Sequence, residues 1–134
     1  MKQEIIVAGK RKTAIARAKI REGTGIIKIN KIPYTLSSFI RVMMIEEPLM
    51  IAQEQLGKIN FDIDVNVNGG GHESRIEASR LAIAKAIVAF SKSEKLKKAY
   101  LAYDRNLLVA DVRRKETYKP GDSKARAKRQ KSYR

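Results

Sequence analysis

The residues able to do chemistry are few in type, and cations dominate them. The chain has 134 residues, no cysteine and a single histidine, His72. Disulfides, thiolate metal sites and a cysteine nucleophile are therefore excluded, and one histidine without a serine and carboxylate arranged around it makes no relay triad. No metal site and no cofactor are expected. Twenty-nine Lys and Arg stand against 14 Asp and Glu, for a net charge of +15. A small domain at that charge repels itself unless a polyanion neutralises it. Nucleic acid is the leading partner class, an anionic membrane surface the second, and an enzyme of acidic substrates a distant third.

Three groups of residues are candidates for meeting phosphates. In the first, Arg17, Lys19 and Arg21 recur at every second position, so a strand there would line them up on one face at steps of roughly 6.6 Å, opposite Ala14, Ala16, Ala18 and Ile20. Lys10, Arg11 and Lys12 precede them, and the first 31 residues hold only Glu4 and Glu22 as balancing carboxylates. A merely solvated face would carry more. The second group is Gly69-Gly70-Gly71, between a strand pattern and a helix pattern. Glycines there let backbone N–H groups approach an anion at the positive end of a helix, although an ordinary flexible turn uses the same residues. No GxxxxGK[ST] loop exists, and Glu73 stands where a phosphate calls for a cation or hydroxyl. His72 reads as a loop residue or backbone cap.

The third group is the carboxyl-terminal stretch. Residues 113–134 carry ten basic and two acidic residues and no Ile, Leu, Val, Met or Phe, whereas residues 32–90 carry five basic and seven acidic ones. A segment so poor in apolar surface cannot offset its ordering entropy alone. The chain therefore divides into a globular body, residues 1–112, and an extended basic tail, residues 113–134, with Pro120-Gly121-Asp122-Ser123 as a break inside it. Fifteen extended residues from Pro120 reach on the order of 50 Å, beyond the surface of a body with a radius of gyration of roughly 13 Å.

The positioning elements follow from periodicity. Short strands are expected at residues 3–7, 13–21 and 26–30, the first two joined by a turn at Gly9-Lys10-Arg11-Lys12, the three together forming a meander. Ser37 or Ser38 caps a helix reaching Glu47, Pro48 opens another that Gly57 ends, and Met43, Met44, Leu49, Met50 and Leu56 are expected core filler. Strict alternation marks residues 61–68 as the clearest strand. A helix over 73–90 follows, with Ile76, Leu81, Ile83, Ala84, Ile87, Val88 and Phe90 inward. Ser91 with Glu94 reads as a capping box for a last helix packed through Leu96, Ala99, Tyr100 and Tyr103. With 43% hydrophobic residues the body can bury a core. No apolar run approaches the roughly 20 residues of a membrane span, and no signal segment follows Met1, so a soluble cytoplasmic protein is expected.

Several of these residues together resemble the universal small-subunit ribosomal protein nine family in its archaeal or eukaryotic-like form. The resemblance is carried by residues 9–17, by Gly23-Thr24-Gly25 before Ile27-Lys28-Ile29-Asn30, by Gly69-Gly70-Gly71 leading into Ala78-Ser79 and residues 82–86, and by Gly121, Lys124-Ala125-Arg126, Gln130, Ser132 and Arg134. Lys31 and the sequence His72-Glu73-Ser74-Arg75 depart from the bacterial pattern. The resemblance implies an α+β fold: a four-stranded sheet backed by helices with a left-handed βαβ crossover, like the second domain of ribosomal protein five, seated in the subunit head. It implies ribosomal RNA contacts at Lys10, Arg11, Lys12, Arg17, Lys19, Arg21, Gly69, Gly70, Gly71, His72, Arg75, Arg113, Arg114, Lys115, Lys119, Lys124 and Arg126. It further implies that Lys128, Arg129, Lys131, Ser132, Tyr133 and Arg134 approach the anticodon stem-loop of peptidyl-site tRNA. Neighbouring proteins of the subunit head are the other implied partners; no membrane is. A generic RNA chaperone is the alternative. A small-molecule kinase-like domain fits worse, because residues 69–80 offer only Ser74 and Ser79 without that class's serine arrangement or its acidic metal ligand.

Overall fold

In a computed structural model of the protein, residues 4–117 and residue 133 are described. The element order is β1 (Ile5–Arg11), β2 (Ala14–Glu22), β3 (Ile27–Ile29), β4 (Ile32–Pro33), α1 (Phe39–Leu56), β5 (Phe61–Asn68), α2 (His72–Ser91) and α3 (Glu94–Tyr103). The α+β class is as expected. The sheet has five strands rather than four, in the order β1-β2-β5-β3-β4, because the two-residue β4 folds back on the edge strand β3.

The first three strands do not make a meander. β5 inserts between β2 and β3, antiparallel to the former and parallel to the latter. Its alternating Phe61, Ile63, Val65 and Val67 need a central position to be covered, and the Asp62 carboxylate ties the loop ahead of β3 to it by accepting from the N–H groups of Thr24, Gly25 and Ile26 at 2.9–3.1 Å. β3, α1 and β5 thus form a βαβ unit.

Period two in β2 and β5 places Ala14, Ala16, Ala18, Ile20, Phe61, Ile63, Val65 and Val67 on one buried face. α2 lies across it. The alanines of β2 leave room for a helix at short range, and Gly9 in β1 extends that fit: a Cβ there would stand 2.5 Å from the Ala78 carbonyl oxygen and 2.7 Å from the Ala82 nitrogen. The expected turn at residues 9–12 is consequently strand as far as Arg11, paired with Ala14, and only Lys12 and Thr13 turn. α2 buries Ile76, Ala78, Ser79, Leu81, Ala82, Ile83, Ala84, Ala86 and Ile87, while Val88 and Phe90 stay half-buried.

α1 is one helix, not two. Pro48 sits inside it, its carbonyl accepting the buried Tyr100 hydroxyl at 2.7 Å, so packing against α3 stabilises a helix that proline alone would interrupt. The inward positions Ile45, Pro48, Leu49 and Ala52 fix the face. Met43 and Met50, one heptad apart on the outer side, are exposed rather than core, and Met44 and Leu56 are half-buried. α3 is capped by Ser93, whose hydroxyl accepts from the Leu96 N–H, because α2 continues through the expected cap Ser91. Leu96 and Tyr100 are its buried residues, Ala99 is half-buried, and Tyr103 is exposed. Among the described residues no helix is long and apolar enough to cross a membrane, and no cluster of metal-ligating side chains occurs.

Candidate nucleic-acid interface

Helices cover one face of the sheet and leave the other open. Strand register decides which side chains stand there: Ile6, Ala8 and Lys10 from β1, Ile15, Arg17, Lys19 and Arg21 from β2, Asp62, Asp64, Asn66 and Asn68 from β5, and Lys28 from β3. A groove of about 740 Å³ runs across this face, lined by Ile6, Arg17, Lys19, Lys28, Asn30, Lys31, Asp64, Val65, Asn66 and Asn68. It offers cations, three amide side chains and an apolar wall.

The predicted cationic row is present but unequal. Lys19 pairs with Glu4 at 2.8 Å and Arg21 with Asp64 at 3.6 Å. Asp64 lies far along the chain, so a count of carboxylates near β2 missed it. Asp62 is spent on the β2–β3 loop, the Ile26 N–H above all holding its carboxyl below the usual range, with burial opposing. Lys10, Arg17, Lys28 and Lys31 have no ion partner among the described residues. Surface cations left unpaired in this way keep their charge for a ligand.

Lys10, Arg11 and Lys12 diverge although adjacent. Lys10 faces outward on the edge strand, Lys12 occupies the turn, and Arg11 points under the sheet, its side chain 14% exposed. There it pairs with Glu77 of α2 and, at 3.1 Å, with Asp111. Asp111 also accepts from the Arg113 backbone N–H at 2.9 Å and from its guanidinium at 2.6–3.1 Å. Those bonds, led by the guanidinium's, hold the Asp111 carboxyl down at about 2 and push the Arg113 guanidinium up. The root of the tail is thus clamped beside the β1–β2 turn. Arg11, Lys12, Thr13, Arg113, Arg114 and Lys115 line a cleft of about 580 Å³ between them. Nothing in the local sequence announces Asp111 as the clamp, since its partner Arg11 is a hundred positions away.

The glycine loop closes the same end of the sheet. Gly69 and Gly70 have φ of +75° and +68°. A Cβ on Gly69 would come within 2.6 Å of the Thr13 carbonyl oxygen, and one on Gly70 within 2.8 Å of Ala14 Cβ. Close packing on the start of β2 accounts for both. Gly71 has open space around it and caps α2. Arg75 turns back to donate from Nε to the Gly69 carbonyl at 3.0 Å, and His72 is exposed at the start of α2. Ser79 is buried and donates to the Arg75 carbonyl at 2.7 Å, away from any phosphate path.

Of the tail, Arg113, Arg114 and Lys115 are exposed, without helix or strand, and Tyr133 is exposed. Lys119, Lys124, Arg126, Lys128, Arg129, Lys131, Ser132 and Arg134 lie outside the described residues.

Comparison with known proteins gives this geometry a family. Residues 9–134 match the family described as Ribosomal protein S9/S16. The chain is 51% identical over 130 residues to the small ribosomal subunit protein uS9 of Methanococcus maripaludis, covering 94% of this chain and 95% of that one. Similarity to uS9 of Picrophilus torridus is 50% over 136 residues and spans both chains completely.

Proposed function

The chain belongs to the ribosomal protein S9/S16 family, and on that premise we propose that it is a structural constituent of the small ribosomal subunit whose open sheet face and basic tail bind RNA. Its relatives are ribosomal proteins and not enzymes, and this chain is not an enzyme. It acts in the cytoplasm, within the small subunit, among ribosomal RNA and neighbouring ribosomal proteins. The carrying observation is the open face: Lys10, Arg17, Lys28 and Lys31 have no ion partner there among the described residues, and Asn66 and Asn68 stand beside them as hydrogen-bonding groups. Such a face binds phosphates through charge and orients them through amides. Lys12, Arg113 and Arg114 extend it around the clamped tail root, and Arg11 serves by holding that root in place.

On this reading residues 1–112 form the body and residues 113–134 an arm. Its cations Lys119, Lys124 and Arg126 follow ribosomal RNA, and Lys128, Arg129, Lys131, Ser132, Tyr133 and Arg134 reach peptidyl-site tRNA. The glycine loop with His72 and Arg75 contributes backbone N–H groups and a cation to the RNA contact. The βαβ crossover through α1 takes the left hand. Two assays test the whole. The chain should sediment with small subunits at moderate salt, and removal of residues 129–134 should weaken retention of peptidyl-site tRNA while the body's thermal unfolding is unchanged. Assembled, truncated subunits that hold tRNA as well as the parent defeat the tail assignment.

A further inference from the structure

The turn between β3 and β4 has only two residues, Asn30 and Lys31, and both are left-handed, with φ of +50° and +69°. A two-residue hairpin of this kind asks for Asn followed by Gly. Asn30 is explained by its surroundings. Its side-chain oxygen accepts from the Val67 N–H at 2.8 Å and its amide donates to the Val67 carbonyl at 3.3 Å, prolonging the β3–β5 ladder by one rung. Lys31 has no such reason. It carries a Cβ where glycine would be unstrained, has no hydrogen bond or ion pair among the described residues, and lines the open groove with Arg17 and Lys28.

Backbone strain that packing does not explain points to a use for the side chain. We propose that Lys31 is a phosphate-contact residue for RNA, kept in an unfavourable backbone conformation because its charge completes the cationic groove at this corner of the sheet. Lys12, also left-handed at φ +52° and without an ion-pair partner among the described residues, stands at the same end, across the strands. The contrasting case is Lys92. It too is left-handed, at φ +51°, but it is the cap that ends α2 at the other end of the sheet, where its N–H bonds the Val88 carbonyl at 3.0 Å, so helix termination explains its conformation.

The assignment rests on the open face binding RNA, and the test separates the two. Full-length parent, Lys31→Gly and Lys92→Gly are titrated with small-subunit ribosomal RNA between about 50 and 200 mM salt, and their thermal unfolding is recorded. Lys31→Gly should unfold at the parent temperature or above it. It should nonetheless bind RNA roughly 3- to 10-fold more weakly near 0.1 M salt, with the magnitude of the log affinity against log salt slope reduced by about one. Lys92→Gly should keep the parent's affinity and slope. The proposal is overturned if Lys31→Gly binds like the parent, if it melts lower and so had a packing role, or if Lys92→Gly loses as much affinity. A parent chain that does not bind RNA sinks the reading of the open face, and Lys31 with it.

Discussion

Replacing Gly9 by alanine should destabilise the protein severely, although only one methyl group is added to a residue that three cations follow. The added Cβ would sit 2.5 Å from the Ala78 carbonyl oxygen and 2.7 Å from the Ala82 nitrogen. Both are helix backbone, so no side chain can swing aside. Either α2 lifts off the sheet by several tenths of an ångström or β1 bends away from β2. Overpacking of this kind costs about 1–3 kcal/mol, and a rigid backbone obstacle places Gly9→Ala at about 3 kcal/mol. For a body of this size each kcal/mol lowers the melting temperature by roughly 3–6 °C, so a fall of about 10–15 °C is expected. Thermal unfolding of the full chain by far-ultraviolet circular dichroism, at fixed salt and without RNA, reads it. A loss under about 3 °C would mean that Gly9 lies in an open turn, as its charged neighbours suggest, and would refute the close seating of α2 on β1.

Two further outcomes follow from polar contacts. Asp62 is ionised more readily in the folded chain than in the unfolded one, so its contribution is full above the ordinary carboxylate range and fades as pH falls through its lowered folded value. Asp62→Ala should therefore cost about 1 kcal/mol at pH 7, in the manner of a lost helix cap, and should flatten the stability curve below about pH 5. Equal acid sensitivity in parent and variant counts against the loop lock. Tyr100→Phe removes the buried hydroxyl that holds the Pro48 carbonyl and should destabilise by about 1–2 kcal/mol in urea unfolding with an unchanged m-value; an unaffected midpoint would show that α1 accommodates Pro48 without help from α3.

Much of this was legible in the chain. The alternation of β2 and β5 is complete and local, so both strands and their buried faces can be read without a structure. α2 is similarly plain. What stayed hidden depends on distant partners. Gly9-Lys10-Arg11-Lys12 looks like a turn until a helix seventy residues on is seen to need the missing Cβ. Pro48 looks like a helix start until Tyr100 is placed against it. The cations of β2 look uniformly free until β5 brings Asp64 to Arg21, and Arg11 looks like its neighbours until register turns it toward Glu77 and Asp111. Lys28 and Lys31 were missed as site residues because β3 and the turn after it join the open face only through β5. Proper alternation of Lys28 with the buried Ile27 was the one available sign.

Cations on the open face that have no ion partner among the described residues are assigned to RNA phosphates, so the affinity for RNA should fall as salt rises. Parent and an Arg17→Ala, Lys28→Ala double variant should be titrated with small-subunit ribosomal RNA across a salt series. If roughly six phosphates are neutralised, the parent slope of log affinity against log salt is about −4 to −5, and the variant's magnitude is smaller by about two. A parent affinity that ignores salt, or a variant with the parent's slope, would contradict the account.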